Sequence, residues 1–169
     1  PAAEPELPLY EGVTLAEIVL VDSRQAAADA CRVLLAQDAI GFDTESKPTF
    51  AKGEVSTGPH LVQLATERLV YLFPVARLVD PAGLKAILEA PHVLKAGFGL
   101  GDDRKRIRDK LGVEPQDVLD LNHVFRQRGY RKDMGVRAAV AVLFNRRFIK
   151  SGKASTSNWA NERLTEAQL

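Results

Sequence analysis

Cysteine, methionine and tryptophan each occur once in the 169 residues. No apolar run approaches the roughly 20 residues that a membrane span needs, so we predict no contact with a membrane. The lone Cys31 excludes an intrachain disulfide and a cysteine-based metal site, and we expect it to be a small core residue. A single cysteine is typical of a reducing compartment, so we expect a cytoplasmic or nuclear location. Twelve glycines and nine prolines are too few for a collagen-like or low-complexity chain.

What is present is the composition of one globular domain, with 46% hydrophobic and 27% charged residues. The only methionine is Met134, so Pro1 is not a translation start. Residues 165–168 (TEAQ) have the form of a helix-capping box, yet a helix starting there reaches Leu169 after barely one turn. We therefore expect a fragment: a flexible lead-in over residues 1–12 and one domain over 13–169, truncated in its C-terminal helix.

The net charge of +1 conceals an asymmetry along the chain. Residues 1–120 hold 13 Lys and Arg against 19 Asp and Glu, a net charge of −6. Residues 121–169 hold 10 against 3, a net charge of +7. A basic C-terminal third is suited to a polyanionic partner, although a solvated basic face without any partner is an equal alternative.

The apolar periodicity predicts an α/β fold. Strands are expected over residues 18–21, 39–45, 60–65, 69–75 and 93–98, the middle ones antiparallel. Helices are expected after Asp22 or Ser23, after Asp80, over 102–111, near 121–127 and over about 134–144. In the last helix we expect Val136, Val140 and Leu143 to form the buried face. This order predicts a mixed sheet with helices packed on both faces.

Two carboxylates follow the second predicted strand. Asp43 and Glu45 are two residues apart, so in a strand both side chains project from the same face. Like charges that close need compensation, and a divalent cation such as Mg²⁺ or Mn²⁺ suits oxygen ligands. A pair of acids fraying into a solvated loop is the alternative, and for the D-x-E pattern alone it is equally common.

A second acidic pair, Asp102 and Asp103, opens the predicted helix after residues 97–101 (GFGLG). Aspartates commonly cap helices, which is the simpler interpretation. The glycine spacing is G-x-G-x-G, and two acids at this helix start would repel a pyrophosphate, so we exclude a dinucleotide site. The three histidines fit no metal-ligand spacing, and the sequence contains neither a nucleophile elbow nor a P-loop.

These blocks, in this order, resemble the DEDD superfamily of 3′–5′ exonucleases, in particular the branch that contains ribonuclease D and the Werner-syndrome exonuclease domain. Residues 41–45 (GFDTE) resemble the first motif, and residues 95–103 (KAGFGLGDD) the second, with Asp103 at the position of the family's aspartate. Residues 157–159 (SNW) resemble the segment before the third motif. The resemblance implies a ribonuclease H-like fold.

The third motif of this branch, Y-x-x-x-D, is absent. Tyr10, Tyr71 and Tyr130 are not followed by aspartate four residues later, and no histidine lies five residues before an aspartate. In the family this motif lies on the helix after the SNW segment, where the chain stops. Truncation or disorder therefore explains the absence better than evolved loss.

The resemblance implies a two-metal phosphodiesterase that uses Mg²⁺ or Mn²⁺ and releases nucleoside monophosphates from single-stranded or 3′-recessed nucleic acid. Asp43 would bridge both ions, Glu45 would bind the first and Asp103 the second. Nucleic-acid contacts are expected from Thr44, Lys153, Asn158 and Trp159, although a lone tryptophan in a helical region is more often a core residue. Further phosphate contacts would come from Arg126, Arg128, Arg131, Lys132, Arg146, Arg147, Lys150 and Lys153, and from Lys47 and Lys52 in the 46–59 loop. A catalytically inactive nucleic-acid-binding or adaptor module on the same fold is the alternative.

Overall fold

The structure, a computed structural model, describes residues 6–149 together with Trp159, Ala160, Leu164 and Gln168. Its strands are β1 (Ile18–Leu20), β2 (Ala39–Glu45), β3 (Leu61–Ala65), β4 (Val70–Pro74), β5 (Leu94–Gly97) and β6 (Val118–Asp120). Its α-helices are α1 (Arg24–Leu35), α2 (Pro81–Glu89), α3 (Gly101–Leu111), α4 (Leu121–Gln127) and α5 (Gly135–Phe144). Short 3₁₀ turns precede β1 and follow β4.

The six strands form one mixed sheet in the order β1-β4-β3-β2-β5-β6. The central strands β2, β3 and β4 are antiparallel to their neighbours in that set, as predicted, whereas β1, β5 and β6 pair in parallel. This is the mixed α/β, ribonuclease H-like architecture that the sequence predicts.

Local signals account for the helix ends. The Ser23 hydroxyl accepts a hydrogen bond from the Ala26 amide (3.1 Å) and starts α1. The Asp80 carboxylate accepts one from the Gly83 amide (2.9 Å), with proline at the first helical position of α2. Helix α3 ends at Gly112, whose φ of +64° is the left-handed conformation that glycine adopts without strain.

The core lies mainly on one face of the sheet, here called the first face. Alternate residues of β2 and β4, among them Phe42 and Tyr71, are buried there against side chains of α1, α2 and α3. Cys31 is half-buried against this core, as predicted, and burial raises the pKa of its thiol. On the opposite, second face, Leu61 and Leu72 pack against Trp159.

Two details differ from the sequence prediction. Residues 118–120 form a sixth strand that the sequence does not predict, because their pairing with three residues of β5 extends the sheet. In α5 the buried residues are Ala139 and Val140, whereas Val136 and Leu143 are 43% and 62% exposed. The predicted face was therefore right for Val140 and wrong for the other two residues, because this helix is apolar on more sides than its neighbours cover. No helix among the described residues is long and apolar enough to cross a membrane.

Candidate active site

The carboxyl end of β2 holds the first two candidate residues. In this strand Ile40, Phe42 and Thr44 are buried at the first face, so Asp43 and Glu45 project from the second face. Asp43 is exposed and lies opposite Gln63 of β3, whereas Glu45 is half-buried and lies opposite Leu61. The predicted placement of both carboxylates on one face is confirmed.

Asp103 reaches the same end of β2 through Thr44. The Thr44 hydroxyl donates a hydrogen bond to the Asp103 carboxylate, and both side chains are buried. Asp103 lies in the first turn of α3, where the helix dipole favours a negative charge, while its neighbour Asp102 is exposed. The threonine between the two strand carboxylates therefore anchors the third one.

The turn that carries Asp103 into place depends on two further features. A Cβ on Gly97 would lie 2.2 Å from the Phe42 carbonyl oxygen, so only glycine allows β5 to approach β2 this closely. In the turn that follows Gly97, the Gly99 and Leu100 amides donate hydrogen bonds to the Asp120 carboxylate, each at 3.1 Å. The same carboxylate accepts a hydrogen bond from the Asn122 amide at 2.9 Å. One side chain thus joins β6, the start of α4 and the turn before α3.

The loop over residues 46–59 begins directly after Glu45 and returns beside it. The His60 amide donates to the Glu45 carbonyl (2.8 Å), and the His60 ring accepts from the Lys47 amide (3.0 Å). The other ring nitrogen is hydrogen-bonded to the Thr57 hydroxyl (3.2 Å). Burial, followed by the positive charges of Lys110 and Lys47, lowers the pKa of His60.

Sequence reasoning passed over both Asp120 and His60. Asp120 carried a recognisable signal, an acid immediately before a helix, but its bonds to Gly99 and Leu100 span about twenty residues. The hydrogen bonds of the His60 ring with Lys47 and Thr57 have no signal in the sequence, because they depend on how the loop folds back.

The chemistry of Asp43, Glu45 and Asp103 fits a hard divalent cation, because all three supply carboxylate oxygens. In the part of the chain that the structure describes, no three histidine, cysteine, aspartate or glutamate side chains are close enough together to hold a metal ion. The structure thus brings the three acids to one end of the sheet without gathering them into a single cluster.

The predicted nucleic-acid contacts divide into three groups. Trp159 is only 5% exposed and packs against Leu61 and Leu72, which favours the core interpretation of that residue. The Thr44 hydroxyl is engaged by Asp103. Lys153 and Asn158, like Lys150, lie outside the described residues.

The structure describes part of the basic C-terminal third. Four of its cations are exposed: Arg128, Arg131, Lys132 and Arg146. Two others form ion pairs, Arg126 with Asp133, and Arg147 with Glu6 at 3.0 Å.

The connection between α4 and α5 is tied to the end of β5 by ring contacts. Phe98 stacks on Phe125 (centroids 6.3 Å apart), and Phe125 meets Tyr130 edge-on (5.4 Å). Exposed arginine and lysine therefore lie on a connection anchored at the carboxyl end of β5.

The sequence and the fold are both similar to those of known proteins. The sequence pattern of a family described as 3′–5′ exonuclease matches residues 18–169. The mouse (Mus musculus) bifunctional 3′–5′ exonuclease/ATP-dependent helicase WRN is 31% identical over 134 residues, which are 78% of this chain and 10% of the mouse protein.

Solved structures show the same fold. RNase D of Escherichia coli, described as an exoribonuclease involved in structured RNA processing, superposes with a TM-score of 0.76 at 25% identity over 89% of this chain and 39% of its own. RNase D of Trypanosoma brucei in complex with RNA superposes with a TM-score of 0.76 at 21% identity, over 88% of this chain and 55% of its own. The chain therefore spans about a tenth of the mouse relative and well under half of the bacterial one.

Proposed function

Since this chain belongs to the 3′–5′ exonuclease family of the DEDD superfamily, we propose that it hydrolyses the terminal phosphodiester bond at the 3′ end of a nucleic-acid strand and releases nucleoside monophosphates. One observation carries the proposal. Asp43 and Glu45 share a face at the end of β2, and Thr44 between them anchors Asp103 at the same end.

The three acids are the residues that would bind the metal ions of this reaction. Asp43, Glu45 and Asp103 would hold two divalent ions, Mg²⁺ or Mn²⁺, which the family generally uses. Such a pair supplies an activated water and a clamp for the attacking and leaving oxygens. The protein supplies the fixed geometry: Thr44 sets the orientation of the Asp103 carboxylate, and the pleat of β2 sets that of the other two.

The substrate end is expected to be single-stranded or 3′-recessed. The nucleic-acid strand itself is supported by the exposed cations of the basic third, which would neutralise its phosphates in a salt-dependent way. The RNA bound to the trypanosomal relative is consistent with a nucleic-acid strand on this fold.

Single substitutions in the full-length protein test the proposal. Asp43→Ala and Asp103→Ala should each reduce Mg²⁺- or Mn²⁺-dependent mononucleotide release by at least about 100-fold, since loss of one group that stabilises transition-state charge typically costs that much. The matched control is Asp102→Ala, which removes an exposed acid from the same helix turn and should leave most of the activity. Unchanged release in the Asp43→Ala/Asp103→Ala double variant would refute the proposal. The assay uses 3′-labelled DNA and RNA, with chelator as the metal-free blank.

A catalytically inactive nucleic-acid-binding or adaptor module is the second candidate. It is favoured by the fact that no metal-binding group of three acids is assembled within the described residues. Such a module would bind labelled strands in a salt-dependent manner without metal-dependent turnover. The release assay above therefore separates the two candidates.

A further inference from the structure

The tip of the 46–59 loop, which begins directly after Glu45, presents apolar side chains to solvent. Phe50 and Val55 are 81% and 83% exposed, the highest values for large hydrophobic side chains in the part of the chain that the structure describes. Exposing an aromatic ring and a valine on one loop forgoes the stability that their burial would contribute. Such exposure on a loop whose base adjoins the candidate carboxylates is typical of a contact surface.

The tip has a defined shape. The Glu54 carboxylate accepts hydrogen bonds from the Phe50 amide (3.0 Å) and the Ala51 amide (3.2 Å), and the Glu54 amide donates to the Ala51 carbonyl (3.0 Å). These backbone bonds lower the pKa of Glu54. The turn therefore holds the backbone that carries Phe50 in place.

The base of the loop is attached to both elements that carry the candidate carboxylates. His60 braces the two ends of the loop through Lys47 and Thr57, directly beside Glu45 of β2. From α3, the Lys110 ammonium donates to the Thr57 carbonyl. The loop thus stands at the edge where Asp43, Glu45 and Asp103 lie.

The charges of the loop itself favour an anionic partner. Lys47 and Lys52 in the loop outnumber its one acid, Glu54, whose carboxylate is occupied by the turn. Lys110 adds a third cation at the loop base. An exposed aromatic ring among cations is the combination that binds single-stranded nucleic acid, because the ring stacks on a base while cations neutralise phosphates.

We infer that the 46–59 loop is a strand-binding element in which Phe50 stacks on an unpaired base of the strand whose 3′ end lies at the carboxylates. Lys47 and Lys52 contact phosphates of the same strand. The inference rests on the proposed function for the identity of the strand, and it adds a substrate contact that lies outside the basic C-terminal third.

Binding measured without turnover tests the inference. The full-length protein is titrated in chelator with single-stranded oligonucleotides that carry 2-aminopurine at successive positions from the 3′ end. In the wild type, stacking should quench the fluorescence at one of these positions. Phe50→Ala should abolish that quenching and weaken binding about 5- to 150-fold, the range expected for one base–aromatic stack.

Three variants accompany it. Phe50→Trp keeps a stacking ring and should retain the quenching. Phe144→Ala removes another exposed aromatic ring, 55% exposed on α5, and should bind like the wild type. Lys47→Gln should reduce the slope of log affinity against log salt by about 0.7, as expected for one lost phosphate contact with a single strand, whereas Phe50→Ala should leave the slope unchanged. Thermal melting of each variant checks that it is folded.

The outcomes separate the inference from the proposed function. If Asp43-dependent mononucleotide release is observed but folded Phe50→Ala binds and quenches like the wild type, the inference is wrong and the proposed function stands. If Phe50→Ala loses quenching while the wild-type protein releases no mononucleotides, the loop contact stands and the enzymatic proposal fails. If Phe50→Ala changes only self-association in light scattering, the tip is a protein contact and the inference is overturned.

Discussion

One buried threonine links the two acidic motifs. Thr44 lies between Asp43 and Glu45 in sequence, but its side chain points to the opposite face and its hydroxyl donates to Asp103. The alternation of the strand thus directs two acids toward one face, while the threonine between them holds the third acid at the other face.

Lys95 is another buried polar residue whose hydrogen-bonding group has a partner. It is fully buried and donates to the Ala90 carbonyl at 2.6 Å, and burial lowers the pKa of its ammonium group.

Thr44→Val keeps the side-chain shape and removes the hydroxyl. The buried Asp103 carboxylate would lose its donor, so we expect the free energy of unfolding to fall by about 1–3 kcal/mol. Mononucleotide release should fall as well, because the orientation of Asp103 is no longer fixed. Urea denaturation of purified protein measures the first effect. Thr44→Ser, which retains a hydroxyl, should lie close to the wild type, and equal stability of the Val and Ser variants would show that the hydrogen bond contributes little.

At the level of elements, the site depends on a junction rather than on a single strand. Helix α3 can place Asp103 only if the turn before it is fixed, and Asp120 from β6 holds that turn through two backbone amides. Asp120 also caps α4, so the same carboxylate aligns two helix starts with the parallel edge of the sheet.

Asp120→Ala should therefore lower the free energy of unfolding by more than the loss of an ordinary helix cap does. Loss of a cap alone costs about 1 kcal/mol, which is the expectation for Asp80→Ala at the start of α2. In Asp120→Ala we expect a larger decrease in unfolding free energy, together with faster hydrogen exchange at the Gly99 and Leu100 amides. Exchange followed by NMR reports these amides individually. If the two variants exchange equally slowly there, Asp120 serves only as a cap.

For the whole molecule, charge is separated along the chain, with −6 over residues 1–120 and +7 over 121–169. The exposed cations of the α4–α5 connection lie on a segment that aromatic contacts tie to the end of β5. The basic segment is therefore anchored at the end of β5, the strand that pairs with the one carrying Asp43 and Glu45.

Neutralising two of these cations should weaken strand binding in a salt-dependent way. For Arg131→Gln/Lys132→Gln we expect the slope of log affinity against log salt to decrease by about 1.4, since each lost contact with a single strand contributes about 0.7. Anisotropy titrations between 50 and 200 mM salt measure it. Arg24→Gln/Lys85→Gln makes the same change in net charge on α1 and α2 and should leave the slope unaltered. An equal decrease in both double variants would mean that only net charge matters.

Much of this protein could be predicted from sequence because the deciding interactions are local. Ser23, Asp80 and Gly112 define helix ends through contacts within a few residues. The alternation of residues 39–45 placed Asp43 and Glu45 on one face before any partner strand was known. The order of the acidic blocks carried the resemblance to the exonucleases, and the comparisons confirm that family.

Only the tertiary structure decided which distant groups meet. It paired Thr44 with Asp103, attached Asp120 to the turn before α3, and set Lys110 against the 46–59 loop. It also exposed Val136 and Leu143, which periodicity alone assigned to the core. Periodicity shows that a face is apolar but not whether a neighbour covers it, and a hydrogen bond across many residues depends on how the chain returns. Sequence therefore determined the elements and the acids they carry, and packing determined how those acids are held.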